Sequence, residues 1–251
     1  MTRRSAATAT DLELAYGTRT VLAAASFAMP TGAVTALIGP NGAGKTTLLN
    51  ALAGVLTPRS GRLEVPAARQ RGGVAYVLQA TQVNDHLPLT VRETVTMGRY
   101  AATGPFRRLQ AADRVAVARA MEAVAITDLA GHQLHDLSGG QRQRAFVAQG
   151  LAQEADVLLL DEPITGLDIV SRQHILDAIV AERDAGRAVV VSTHDLGDAA
   201  NADHLLLLAG RIVACGPPVD VLTDVHLAAA YGGHLLRFGS STLIIDDHPH
   251  H

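Results

Sequence analysis

An α/β fold with a helical insertion is the architecture this sequence predicts, and three observations carry that reading. Short apolar strands alternate with helical stretches near both ends of the chain, the pattern of a parallel sheet with crossover helices. A glycine-rich loop, GPNGAGKTT at 39–47, stands between an apolar strand and a helix. Between about 84 and 152 the strand pattern gives way to helices rich in Ala and Arg.

Taken in order, the chain opens with β-rich segments at 11–15, 21–27 and 33–38. A helix at about 45–53 follows the glycine-rich loop, then strands at 62–65 and 74–78. Thr90-Val-Arg-Glu93 is a capping box, in which Thr90 and Glu93 satisfy each other's orphan backbone donors and start a helix. Further helices are expected at 111–124 and 141–152. Strand-helix alternation returns at 157–160, 171–185 and 188–192. Hairpin-like strands at 205–208 and 211–214 precede a short helical end. The expected domains are a core of 1–83 and 153–238, a helical insertion of 84–152, and a flexible tail of 239–251 rich in His and Asp.

Composition bounds the function. The 251 residues are 48% apolar, enough for a sizeable core, yet only 3% aromatic with no Trp. Leu, Val, Ile and Ala must therefore fill that core. A net charge of −3 and a pI of about 6.4 argue against a broad nucleic-acid footprint. The single cysteine, Cys215, excludes an internal disulfide and fits a reducing compartment. The longest apolar runs, such as 157–160 and 205–209, fall far short of the ~20 residues of a membrane helix. The N-terminus lacks the apolar segment of a secretory signal, so a cytosolic chain is expected.

The loop Gly39-Pro40-Asn41-Gly42-Ala43-Gly44-Lys45-Thr46-Thr47 fits G-x-x-x-x-G-K-[ST], the phosphate-binding P-loop, and has its strand-before, helix-after context. Glycines let backbone N–H groups turn inward around phosphate oxygens, and the following helix N-terminus adds a favourable dipole. Lys45 is the only lysine among 21 basic residues, a compact charge on a flexible stem where a planar Arg fork would not substitute. Thr46 offers a hydroxyl to Mg²⁺.

Downstream, Val157-Leu-Leu-Leu-Asp-Glu-Pro163 is an apolar strand ending in two acids. Asp161 can hold Mg²⁺ through its water shell, and Glu162 is placed to polarise an attacking water, which points to hydrolysis. Leu137-Ser138-Gly139-Gly140-Gln141 opens a helix and makes a second anion-receptive N-terminus. These fall in order with Gly166-Leu-Asp168 and Ser192-Thr-His-Asp195. At this point the chain resembles the ATP-binding cassette (ABC) ATPase family, over about residues 9 to 238.

The resemblance implies a P-loop NTPase of ABC type: a RecA-like core, an N-terminal antiparallel β subdomain and an inserted helical subdomain. It implies that Tyr16 stacks on adenine, that Gln79 senses Mg²⁺ and the attacking water, and that His194 contacts the γ-phosphate. Ser138, Gly139, Gly140 and Gln141 would face a nucleotide held by a partner subunit, with Asp168 in the loop crossing between two sites. Two cassettes would close head to tail on two ATP, as a homodimer or with a second cassette. Partners would be integral membrane permease subunits and, indirectly, an extracytoplasmic substrate-binding protein, with this chain peripheral on the inner face of the membrane. No nucleic-acid partner is expected. The helical stretch 97–114 and the segment running from Asp128 through Pro163 look like the ATPases of bacterial zinc and manganese uptake; Ile164 stands where that group often has Phe. Siderophore or vitamin B12 importers, and a soluble ABC ATPase acting on DNA or ribosomes, stay open as alternatives. The tail carries Asp246, Asp247, His248, His250 and His251, which suit a divalent metal but form no defined spacing.

Overall fold

The fold is known from a computed structural model that describes residues 5–78, 88–104, 106–232, 235–238 and 241–244. Gln79 and the tail residues from Asp246 onward lie outside the described residues. The chain divides into two compact units.

One unit comprises 65–192 with 30–34 and the first residues to Ala7. Its strands β5 (Val74–Val77), β6 (Val157–Asp161) and β7 (Ala188–Ser192) run parallel in the order β5-β6-β7. Every residue of β6 and β7 is buried. That explains why both read as unbroken apolar runs, since a parallel sheet is covered on both faces. Helices α2 (Val91–Thr103), α3 (Ala111–Ala123), α4 (Gly139–Ala152) and α5 (Ile169–Asp184) share one core with these strands, through Val95, Met121, Phe146, Leu158 and Ile175. Arg99 of α2 ties α3 to the end of α4 and the turn that follows it. It donates to Asp113 at 3.1 Å, to the Ala152 carbonyl at 2.7 Å and to Glu154 at 2.8 Å.

The other unit comprises 8–29, 35–64 and the chain from Thr193. Strands β1 (Ser5–Tyr16), β2 (Arg19–Pro30) and β4 (Ser60–Glu64) form a sheet in the order β2-β1-β4, with β4 antiparallel to β1. Strand β3 (Val34–Ile38) pairs in parallel with β8 (His204–Leu208), which pairs antiparallel with β9 (Ile212–Gly216). Helix α1 (Lys45–Leu52) follows the glycine-rich loop. Short helices α6 (Leu196–Ala200), α7 (Pro218–Val221) and α8 (Asp224–Tyr231) complete the unit, with Val221, Leu227 and Tyr231 packed on Ile38 and Leu205. Strands β10 (Leu235–Phe238) and β11 (Ser241–Ile244) pair antiparallel.

Two boundaries differ from expectation for physical reasons. Strand β1 begins at Ser5 rather than near 11, because Ala6, Ala7 and Ala9 are buried. Helix α4 begins at Gly139 rather than Gln141, because Ser138 caps it and the two glycines form its first turn.

Candidate nucleotide site

The glycine-rich loop springs from β3, whose Thr35, Leu37 and Ile38 are fully enclosed. Gly39 has φ 150°, and a Cβ there would run into the Leu208 carbonyl oxygen at the end of β8. Only glycine fits so close a backbone approach. Gly42 and Gly44 have φ of 77° and 102°, and Gly44 is the N-cap of α1, supplying no capping side chain of its own. The first turn of α1 holds no acidic residue, so no carboxylate there competes for its N–H donors. The Lys45 ammonium is buried and donates to the Gly39 carbonyl at 2.6 Å and the Pro40 carbonyl at 3.1 Å. Asn41, Gly42 and Thr46 are exposed, whereas Ala43 and Thr47 are buried. A cation folded inside a ring of loop backbone, over a helix N-terminus, suits a polyphosphate.

Tyr16 ends β1 half-exposed, and its hydroxyl accepts a hydrogen bond from Asn50 Nδ2 of α1 at 3.1 Å. His194 is exposed in the turn after β7. That turn is pinned on both sides. Thr193 N–H donates to the Leu37 carbonyl at 3.0 Å, and Asp195 caps α6 through Asp198 N–H at 3.0 Å.

The other unit holds the two acids. Asp161 is buried at the end of β6, and its Oδ1 accepts the Ser192 hydroxyl at 2.5 Å. The same Ser192 oxygen accepts Glu162 N–H at 2.8 Å. Glu162 has φ 47°, a left-handed conformation that costs a non-glycine residue on the order of 1 kcal/mol or more. Ser192 thus fixes the turn at which the strand releases its second acid. Sequence reasoning did not single out Ser192; its signal is a small hydroxyl closing the neighbouring buried strand.

Ser138 caps α4 reciprocally with Gln141: Ser138 Oγ accepts Gln141 N–H at 3.3 Å, and Gln141 Oε1 accepts Ser138 N–H at 2.9 Å. Gly139 and Gly140 lie in that first turn. A Cβ on Gly140 would press on Ser171 Oγ and Asp168 Oδ2. Asp168 caps α5 by accepting Ser171 N–H at 2.9 Å. That bond, first among several, holds its carboxyl below the usual range. The 137–141 segment and Asp168 are therefore brought together in one unit, as are Asp161, Glu162 and Ser192. The P-loop, Tyr16 and His194 stand on the other.

The oxygen donors of Thr46 and Asp161 have the hard character that Mg²⁺ prefers. Among the described residues no cluster of three or more His, Cys, Asp or Glu could hold a metal ion.

The profile of the ABC transporter family matches residues 22–165, which include the P-loop, the LSGGQ segment and both acids. The chain belongs to the ABC transporter family. Among its relatives, the manganese transport system ATP-binding protein MntA of Synechocystis is 39% identical over 80% of both chains. The zinc transport system ATP-binding protein TroB of Treponema pallidum is 38% identical over 93% of this chain and 88% of its own. A metal-chelate type ABC transporter solved in an inward-facing conformation superposes with a TM-score of 0.81 at 27% identity, over 96% of both chains. As an ABC ATPase the chain binds ATP and hydrolyses it to power transport. No helix among the described residues is long and apolar enough to cross a membrane.

Proposed function

We propose that this ABC ATPase powers the uptake of a divalent metal ion, zinc or manganese. The observation that supports this most is the identity of 38–39% to subunits named for manganese and zinc transport. The membrane path would be formed by separate permease subunits, with this chain on their cytoplasmic side. An extracytoplasmic binding protein would deliver the ion.

The residues divide the chemistry. Lys45 and the 39–47 backbone bind the triphosphate, and Tyr16 stacks on the base. Lys45 leaves the carbonyls of Gly39 and Pro40 for the more strongly charged phosphate oxygens. Thr46 and Asp161 would hold Mg²⁺ and Gln79 would sense it; bound there, the ion would neutralise phosphate charge. Glu162 accepts the proton of the attacking water, and His194 orients the γ-phosphate. Ser192 positions Asp161 and Glu162 together.

Ser138, Gly139 and Gly140, on the segment 84–152, would meet the γ-phosphate of ATP held by a second copy. The Gln141 amide closes the Ser138 cap, so it supports this turn. Two copies would close on two ATP and part after hydrolysis, a binding-driven switch that moves the permease.

Uptake of labelled Zn²⁺ and Mn²⁺ by cells lacking the chain tests this reading. Uptake of one ion should fall and return with the wild-type gene but not with Glu162→Gln. Unchanged uptake of both ions, with loss of siderophore or vitamin B12 uptake, would move the chain to that other class of importer.

A further inference from the structure

The turn that carries Tyr16 is held by a polar network with no part in the chemistry so far described. Strand β1 pairs Thr10 with Arg62 but Glu13 with Ser60, so β1 has one more residue than β4 across this interval. The bulge is visible at Asp11, whose φ is 47°. Across from it, a Cβ on Gly61 would run into the Asp11 carbonyl, so only glycine admits the bulge. The bulge sets Glu13 opposite Ser60 and beside Arg59.

Six bonds then converge. Arg59 Nη1 donates to Glu13 Oε1 at 3.1 Å and to Thr20 Oγ1 at 3.0 Å. Arg59 Nη2 donates to the carbonyl of Gly17, the residue after Tyr16. Thr20 donates to Glu13 Oε1 at 2.9 Å, and Ser60 to Glu13 Oε2 at 3.1 Å. The Arg59 N–H donates to the Glu13 carbonyl at 2.9 Å. On the far side Asn50 tethers the Tyr16 hydroxyl to α1, the helix that begins at the P-loop.

We propose that Arg59, with Glu13 and Thr20, is a positioning residue for nucleotide binding: it fixes the 16–18 turn so that Tyr16 presents its ring to the base at a set distance from the phosphate loop. The inference rests on the base-stacking role proposed for Tyr16. Arg59 is exposed, and exposed ion pairs add little to global stability. What the guanidinium fork supplies is geometry, because it spans two side chains and a turn carbonyl that a lysine ammonium cannot span in one plane. A base held this way is bound more tightly with no gain in turnover, since the base does not change in the reaction.

The test uses the full-length chain and two probes, ATP and inorganic tripolyphosphate, with affinities measured by calorimetry and turnover by phosphate release. Arg59→Met should raise the Kd and KM for ATP about fivefold. It should leave kcat, tripolyphosphate affinity and melting temperature unchanged. Thr20→Val should give a smaller loss of the same kind, and Arg59→Lys should recover little. In a Tyr16→Ala background, Arg59→Met should cause no further loss. A loss that persists in that background, or that weakens tripolyphosphate equally, overturns the positioning role while Tyr16 keeps its own. If Tyr16→Ala leaves ATP affinity intact, the base-stacking role itself fails, and the inference with it.

Discussion

Lys45 is the residue on which most of the site's charge chemistry turns. Its ammonium sits buried with loop carbonyls as acceptors, an arrangement that compact geometry permits and a guanidinium does not. Lys45→Arg and Lys45→Ala should each lower ATP turnover by about a hundredfold or more, the scale of losing one positioned charge donor; steady-state phosphate release measures it. Ser192 is the second residue of consequence, since its hydroxyl joins the two acids. Ser192→Ala leaves a buried carboxylate short of a donor and the Glu162 amide short of an acceptor, a loss of roughly 1–3 kcal/mol. Chemical denaturation should show that loss, together with reduced turnover. Ser192→Thr, which keeps the hydroxyl, should retain more of both.

At the scale of elements, the motif-bearing ones were legible because their signals are local. Thr90 and Glu93 form the capping box their spacing announces, with Thr90 N–H donating to Glu93 at 2.8 Å. Thr90→Ala should cost about 1 kcal/mol in denaturant unfolding. The bulge in β1 was not legible, because it depends on a glycine far along the chain, Gly61, lying opposite Asp11. The paired β10 and β11, placed where a short helical end and then a tail were expected, show the same limit, since pairing is non-local information. Asp113 illustrates how a cap doubles as a tertiary tie. It accepts Gln110 N–H at the start of α3 and also meets Arg99 of α2. The Gln110 bond first, and then Arg99, hold its carboxyl below the usual range. A depressed carboxyl contributes stability that is present above its unfolded value, about 3.9, and is lost as pH falls through the lower folded value. Melting temperature should therefore drop on acidification below about pH 4, and Asp113→Asn should flatten that drop while melting lower at neutral pH.

At the scale of the whole molecule, the grouping of residues matters more than any one of them. Ser138, Gly140 and Asp168 are assembled at the start of α4 and α5, where Ile169 and Val170 are 85% and 64% exposed. An apolar pair left in solvent beside a cap cluster suits a face that a second copy covers. The family and the nucleotide chemistry were readable from ordered short motifs, whereas the cargo was not, because no residue of this chain need touch the ion. Light scattering of Glu162→Gln with ATP and Mg²⁺ tests the shared site most directly. A species of twice the 26.2 kDa chain mass, reverting to monomer when ATP is removed or when Ser138→Arg is added, is the expected result. A variant that binds ATP fully yet stays at the mass of one chain would contradict it.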